Sequence, residues 1–411
     1  MAKVNSFYFV DDDPDMIDFV TAQLEAAGHK VASNTGSAEA LSEILSDKPD
    51  CVLLDLMMPG MDGLEMCKTL RGRKDMDGTK IIMVSGKAYE FDRKRAFEFG
   101  ADGYITKPLK EKTFVSDVER ILEDKVILSF WGVHGTLPAP GEKTVRYGGN
   151  TSCMTLEFQR DHFFIFDAGS GIKRLSDWLL ANKRAKMEAK IFISHPHWDH
   201  INALPFFVPL YMPGNEFEIF GARHGDITTR ELVSAQMDNP YFPITLKQFG
   251  ARVYFRDLEE EEFTIDENIS IKTKLLSHPG KCLGYRVEYK GRAICYVTDN
   301  ELFLESDEDY YNPFYVKNLI QFVHGADALI TDCTYTDEEY TSKVGWGHSC
   351  ISQVVDLAHR AEVKTLYLFH HDPDHTDDDI DAKLETTRKM LKNKKSKTKV
   401  LAPGEGQSYK I

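Results

Sequence analysis

Seven consecutive residues constrain this chain more than any others. Ser194-His195-Pro196-His197-Trp198-Asp199-His200 sets three imidazoles and a carboxylate within six positions, directly behind the apolar run Ile191–Ile193. Such a run reads as a strand, and a loop leaving a strand end can aim His195 and His197 at one point. The next turn aims Asp199 and His200 at a neighbouring point. Imidazole and carboxylate together suit Zn²⁺. Four ligands from one segment cannot close two coordination spheres, so the fold must bring others from afar. Candidates stand at later strand ends: His278 after Ile271–Leu276, Asp299 after Ala293–Val297, His370 after Thr365–Phe369. Two ions sharing a bridging carboxylate would lie roughly 3.5–4 Å apart and hold a water between them, with a pKa lowered far enough to make it a nucleophile near neutral pH.

Histidine is distributed unevenly. Of 14 histidines, only His29 precedes residue 126. The first 125 residues carry a chemistry of carboxylates instead. Apolar runs Phe7–Val10, Cys51–Leu54 and Ile81–Val84 alternate with helix-spaced patterns over Met16–Ala27, Ser37–Leu45 and Gly63–Leu70, which predicts a parallel sheet covered on both faces. Function in such sheets gathers at the carboxyl ends of the strands. Asp11, Asp12 and Asp13 follow the first run and Asp55 follows the second; Ser85 ends the third, and Lys107-Pro108 follows Gly103–Ile105. Converging carboxylates form a hard oxygen site suited to Mg²⁺, and a lysine and a hydroxyl nearby complete a pocket for a phosphoryl group.

These residues resemble the receiver domains of bacterial two-component signalling. Val10-Asp11-Asp12-Asp13 is similar to the acidic pair, Asp55 within Leu-Leu-Asp-Leu-Met-Met-Pro-Gly-Met-Asp-Gly to the phospho-acceptor, Ser85 to the hydroxyl position, Tyr104 to the switching aromatic and Lys107-Pro108 to the lysine–proline pair. The resemblance implies a doubly wound (βα)5, flavodoxin-like domain over residues 1–125. It further implies Mg²⁺ held by Asp12, Asp55 and the Met57 carbonyl, with Asp11 acting through water, and a sensor histidine kinase or phosphotransfer protein as partner.

No Gly/Ser/Pro-rich linker follows. The helical pattern Thr113–Asp124 runs through Lys125 into the strand-like Val126–Trp131, a join short enough to transmit a change between the parts. Strand-like runs Ile127–Phe130, Met154–Phe158 and Phe163–Phe166, a helix-like Gly171–Ala181, and mixed segments beyond predict a layered α/β sandwich. In order and context, residues 126–411 resemble the metallo-β-lactamase superfamily, in its ribonuclease Z and phosphoribosyl cyclic phosphodiesterase branch. Trp131–Pro138, Tyr147–Cys153 and Asp167-Ala168-Gly169-Ser170-Gly171 look like its opening motifs.

The resemblance implies an αββα sandwich, with His195, His197 and His278 on one ion and Asp199, His200 and His370 on the other. Asp299 bridges them, His348 of Gly347-His348-Ser349 orients the scissile phosphate or protonates the leaving oxygen, and Asp332 supports His348. Asp199 also acts on the nucleophilic water. Two Zn²⁺ are expected, with Mn²⁺ or iron as alternatives; oxygen-reducing relatives place Glu where His197 stands. Two departures are visible. His134 occupies a position where the branch often carries Arg, so a contact facing the substrate would differ. No long Gly- and base-rich insertion like the tRNA-gripping arm of ribonuclease Z is present.

A formal charge of −15 opposes general polyanion binding, and Lys392–Lys399 reads as the solvated end of a helix and a turn. No run approaches the roughly 20 apolar residues of a spanning helix, and the opening lacks a leader pattern, so a cytoplasmic protein is expected. Seven cysteines without a Cys-x-x-Cys pair read as reduced, apolar residues. His371 and His375, among Asp372, Asp374 and Asp377–Asp379, read as exposed loop or helix-start residues. Pro205–Tyr211 and Met237–Pro243 line either a groove or a homodimer contact, with core packing open for the first. The expected function is a phosphorylation-responsive, two-metal phosphodiesterase acting on small cyclic nucleotides, cyclic phosphates or short oligonucleotides. Two alternatives are a lactone or thioester hydrolase and a non-catalytic metal-binding output domain.

Overall fold

Short runs of Val, Ile, Leu and Phe become strands here wherever glycine or charge bounds them, and the spacing of apolar residues between them decides which faces the helices cover. The computed structural model describes residues 5–86, 90–123, 125–158, 162–237, 243–266, 268–303 and 310–411. Positions 238–242 of the segment named above as a groove or dimer contact lie outside the described residues. The chain divides into two compact units, Met1–Val126 with Phe158–His162, and Ile127–Glu157 with Phe163–Ile411.

In the first unit, strands β1 (Ser6–Val10), β2 (Lys30–Asn34), β3 (Cys51–Asp55), β4 (Lys80–Ser85) and β5 (Gly103–Thr106) form one sheet in the order β2-β1-β3-β4-β5. Every pairing is parallel. Helices Pro14–Ala26, Ser37–Asp47, Gly63–Arg71, Glu90–Glu98 and Phe114–Glu123 connect the strands. Tyr8, Val10, Val52 and Leu54 pack into one core, and Phe7, Phe9, Cys51 and Leu53 into another across the sheet. Being buried on both faces, β3 is apolar without alternation until Asp55. Asp13 caps the first helix, accepting from the Asp15 N–H, with Pro14 in its first turn.

The second unit holds two seven-stranded sheets. One comprises β6 (Ile127–Gly132), β7 (Cys153–Glu157), β8 (Phe163–Phe166), β9 (Glu188–Phe192), β10 (Glu216–Ala222) and β11 (Arg252–Leu258), in sequence order, with the C-terminal strand Ser408–Lys410 beside β6. The other runs β12 (Glu262–Asp266), β13 (Ile269–Leu276), β14 (Cys282–Tyr289), β15 (Arg292–Val297), β16 (Ala328–Asp332), β17 (Thr365–Phe369) and β18 (Lys399–Leu401); β19 spans Ser408–Lys410. Apart from β19, which runs antiparallel to β6, each sheet is antiparallel over its early strands and parallel over its later ones.

Aromatic rings join the inner faces: Phe166 meets Tyr285 and Tyr296, Phe130 meets Tyr367 and Phe369, and Phe220 stacks on Phe263. Helix Gly171–Ala181 buries Ile172, Leu175 and Leu179 against the outer face of the first sheet. Helices Pro313–Val323, Ile351–Arg360 and Asp377–Asn393 cover the second. This is the αββα sandwich.

Within Pro205–Tyr211, Phe207 and Leu210 are core residues while Phe206 is exposed. None of the seven cysteines is in a disulfide, and all are buried. Among the described residues no helix is long and apolar enough to cross a membrane.

Candidate metal centre

The loop after β9 turns into a single helical turn, Trp198–Ile201, so His195 stands in the loop, His197 leaves extended backbone, and Asp199 and His200 leave a helix. His278, Asp299 and His370 follow the ends of β13, β15 and β17. The structure gathers these residues into two groups, His195–His197–His278–Asp299 and Asp199–His200–Asp299–His370, with the ligand atoms of each group within 4.8 Å of one another. Asp299 belongs to both. Its Oδ1 lies 3.2 Å from His200 Nε2 and 3.1 Å from His370 Nε2, and its Oδ2 lies 3.6 Å from His195 Nε2 and 3.8 Å from His278 Nε2. Asp199 Oδ2 stands 3.1 Å from both His200 Nε2 and His370 Nε2 and accepts from the Thr136 N–H at 2.7 Å.

The donor set fits divalent cations. His200 donates Nδ1–H to Asp167 (2.7 Å), His278 donates Nδ1–H to the Gly347 carbonyl (2.9 Å), and His370 Nδ1 faces the Thr334 hydroxyl (3.2 Å). Each of these rings thereby turns its Nε2 inward. There, nitrogens face nitrogens: His200 Nε2 to His370 Nε2 and His278 Nε2 to His197 Nδ1, both at 3.2 Å. His195 Nε2 is buried without a hydrogen-bond partner. Lone pairs and carboxylate oxygens crowded together in this way form a surplus of acceptors, which cations satisfy.

Burial, reinforced by His200, holds His195 well below the usual imidazole range and leaves its lone pair free. Burial would raise the Asp299 carboxyl, but His370 and His200 hold it well below its ordinary value. Asp199 follows the same pattern: burial would raise it, but His200 and His370 together hold it well below its ordinary value. His200 is the counterpart: burial works against its charge, yet Asp199 and Asp299 raise its pKa well above the ordinary value.

His348 lies beside the second group, its ring stacked on His370 at 5.0 Å between centroids. Its Nδ1–H donates to Asp332 at 2.8 Å, which leaves Nε2 for another partner. Burial lowers its basicity, but Asp332 outweighs that and lifts the pKa to about 9. Asp332 also accepts from the Thr334 N–H and hydroxyl.

Close approach needs glycine at two points. A Cβ at Gly135 would sit 2.0 Å from His370 Cε1, and one at Gly347 would sit 2.3 Å from His278 Nδ1. His370 and Asp167 themselves adopt φ +58°, a left-handed conformation that costs a non-glycine residue on the order of 1–3 kcal/mol and occurs where surroundings enforce it.

Several groups around the centre were given no role from the sequence, Asp167 having been named only as part of a motif. Asp167, wholly buried at the end of β8, accepts from the Ser194 N–H and hydroxyl, from His200 and from the Tyr296 hydroxyl, at 2.7–2.8 Å. Its signal was its place, a carboxylate closing an apolar strand as Asp299 does. Glu301, also buried, accepts from the Gly345 and Gly347 N–H groups and the Tyr340 hydroxyl. Lys383 is buried and donates to the Cys333 and Thr334 carbonyls just past β16.

Two expectations are corrected. His371 and His375 are buried, not exposed: a β-bridge from His134 to His371 draws that loop inward. His134, expected at a substrate-facing position, is fully buried, with its ring 6.0 Å from that of His371.

In the first unit, Lys107 Nζ lies 2.8 Å from Asp11 Oδ2 and 2.7 Å from Asp55 Oδ1. Burial would lower the lysine's pKa, but Asp11 and Asp55 raise it. Burial raises Asp11 in turn. Asp55 Oδ2 accepts from the Met57 N–H at 2.6 Å. Asp12 is exposed, and Ser85 and Tyr104 are buried. Lys107 thus brings Asp11 and Asp55 together, whereas among the described residues Asp12 is not gathered with them into a group of metal-ligating oxygens.

Comparison with known proteins agrees with both units. The family described as Response regulator receiver domain matches residues 7–119. The chain is 36% identical over 154 residues to the DNA-binding response regulator MtrA of Mycolicibacterium smegmatis, covering 36% of this chain and 65% of that protein. It is 38% identical over 113 residues to the alkaline phosphatase synthesis transcriptional regulatory protein PhoP of Bacillus subtilis, covering 28% of this chain and 46% of that one. The chain thus spans less than two thirds of the length of these curated relatives. The metallo-beta-lactamase fold protein YhfI from Bacillus subtilis superposes with a TM-score of 0.50 at 18% identity, over 70% of this chain and all of that one, a likeness of fold. The family described as Beta-lactamase superfamily domain matches residues 162–371, just over half of the 411. The chain belongs to the beta-lactamase superfamily and carries a response regulator receiver domain ahead of that fold.

Proposed function

We propose that the chain is a hydrolase of phosphodiesters dependent on two divalent ions, with its output set by phosphorylation of Asp55. The observation that carries this reading is the His348–Asp332 pair beside two four-donor groups that share Asp299. Two ions, one held by His195, His197, His278 and Asp299 and the other by Asp199, His200, Asp299 and His370, would supply Lewis acidity and a water of lowered pKa. The protein's own residues do the rest. Asp199, fixed by the Thr136 N–H, is placed to orient the attacking water. His348, kept cationic by Asp332, delivers a proton from Nε2 to the departing alkoxide. The loops that carry both groups leave strand ends of two sheets, an arrangement that favours a fixed reacting geometry.

The test is hydrolysis of bis(p-nitrophenyl) phosphate and a panel of cyclic nucleotides by protein loaded with Zn²⁺ or Mn²⁺. Metal-dependent turnover is expected. His348→Ala lowers kcat roughly 10²–10⁴-fold while bound metal stays at two ions. Esters, lactones or thioesters cleaved faster than every phosphodiester would overturn the reading.

Regulation is tested separately. In the receiver pocket the Asp55 oxygen attacks the phosphorus of an acyl-phosphate donor, the donor's carboxylate leaves, and Lys107 pairs with the new charge. With Mg²⁺, one phosphoryl group per chain is expected by intact mass, and none on Asp55→Ala. The donor shifts kcat/KM of the wild type on the order of 5-fold and leaves Asp55→Ala unmoved. A phosphorylated protein with unchanged turnover and assembly would remove the regulatory claim.

A further inference from the structure

The chain has four tryptophans, and two are placed in water beside the candidate centre. Trp131 is buried and Trp178 packs against the same core. Trp198, by contrast, is 80% exposed between His197 and Asp199, and Trp346 is 57% exposed one residue before Gly347. Their positions are linked through His278, which reaches His197 through Nε2 and the Gly347 carbonyl through Nδ1. An exposed indole presents a large, planar, apolar face on which an occupant can stack.

The loop bearing Trp346 is fixed in advance. Buried Glu301 accepts from the Gly345 and Gly347 N–H groups at 2.7 Å each, on either side of Trp346, and from the Tyr340 hydroxyl at 2.8 Å. Gly345 and Gly347 take φ +84° and +89°, values that a side chain disfavours. The Lys343 ammonium sits 4.0 Å from the Trp346 ring centroid and 5.7 Å from that of Tyr335, whose ring lies 6.0 Å from His348. Trp346, Lys343, Tyr335 and His348 are therefore successive neighbours, with Trp346 exposed and Tyr335 buried.

We propose that Trp346 and Lys343 form a grip for a nucleobase and its neighbouring phosphate, which makes the substrates nucleoside phosphodiesters rather than diesters lacking a base. This rests on the phosphodiesterase reading above and narrows its substrate class. A planar base stacks on an indole, and the stack tolerates any base because every base has a π-face. A fixed loop loses little freedom on binding, so the contact is expressed in affinity. A bare sugar phosphate, lactone or thioester offers nothing to such a ring.

The full chain, loaded with Zn²⁺, is assayed on a cyclic nucleoside monophosphate and on a cyclic phosphate of a simple diol. The nucleotide is expected to have the lower KM by roughly 10-fold or more. Trp346→Ala erases that difference through the nucleotide's KM, and Trp346→Phe restores most of it. Lys343→Met raises KM most for a substrate with a second phosphate. A readout independent of turnover is tryptophan fluorescence: a nucleoside monophosphate quenches the wild type, and the quench falls in Trp346→Phe. No quench at Trp346, or equal KM for the two substrates, overturns the grip. Quench without hydrolysis of any phosphodiester keeps the grip and removes the phosphodiesterase reading.

Discussion

Asp299→Asn is expected to reduce bound metal from two ions per chain to at most one and to lower kcat/KM roughly 10³-fold or more, about 4 kcal/mol of transition-state stabilisation. The expectation follows from position. Asp299 is the residue common to both donor groups, with Oδ1 turned to His200 and His370 and Oδ2 to His195 and His278. An amide keeps the volume but offers one oxygen and a pair of N–H donors, which would point at imidazole nitrogens or at a cation. Metal analysis of the purified variant, beside hydrolysis of bis(p-nitrophenyl) phosphate, decides the matter. A variant that retains two ions and full turnover would show that Asp299 is not shared between them.

The second large effect lies one layer behind the centre. Asp167→Asn should destabilise the second unit by about 3–5 kcal/mol, as breaking a buried charged pair does, and lower its melting temperature by roughly 10 °C. Three donors converge on Asp167 Oδ2, from Ser194, His200 and Tyr296, and the Ser194 N–H takes Oδ1. Whichever way the amide turns, its N–H groups oppose donors in a fully buried space. His200 would lose the partner that keeps its Nε2 inward, so Zn²⁺ affinity should also fall about 10–100-fold. Competition with a chromophoric chelator measures that loss, and thermal denaturation with and without Zn²⁺ measures the first. An unchanged melting temperature would mean that the network carries little stability.

Much of the architecture could be read from residue order. The receiver sheet was legible because a parallel sheet buried on both faces makes its strands uninterrupted apolar runs, as in Cys51–Leu54, and puts its carboxylates at their ends. Every residue expected as a ligand of the two-metal site falls in one of the two donor groups, because imidazoles and carboxylates at strand ends are local signals. Long-range pairing was not legible. Nothing in the Asp-rich surroundings of His371 and His375 announces burial; it follows from the bridge to His134, 237 positions earlier, and from packing around Lys383. Glu301 was missed for the same reason. A glutamate one position past Asn300 looks solvated until the fold brings two glycine N–H groups and a tyrosine to it.

The distribution of donors over the two sheets has a consequence for how the unit comes apart. His195, His197, Asp199 and His200 issue from the sheet of β6–β11, whereas His278, Asp299 and His370 issue from that of β12–β18. The facing nitrogens are separated along the chain by 81 residues in one pair and 170 in the other. Closing loops of that length costs an unfolded chain several kcal/mol, so an ion held across them would act as a removable cross-link between the halves of the sandwich. Chelation should then do more than silence a site. It would untie the two sheets at that end, and amide exchange at the strand ends β9, β15 and β17 would rise together.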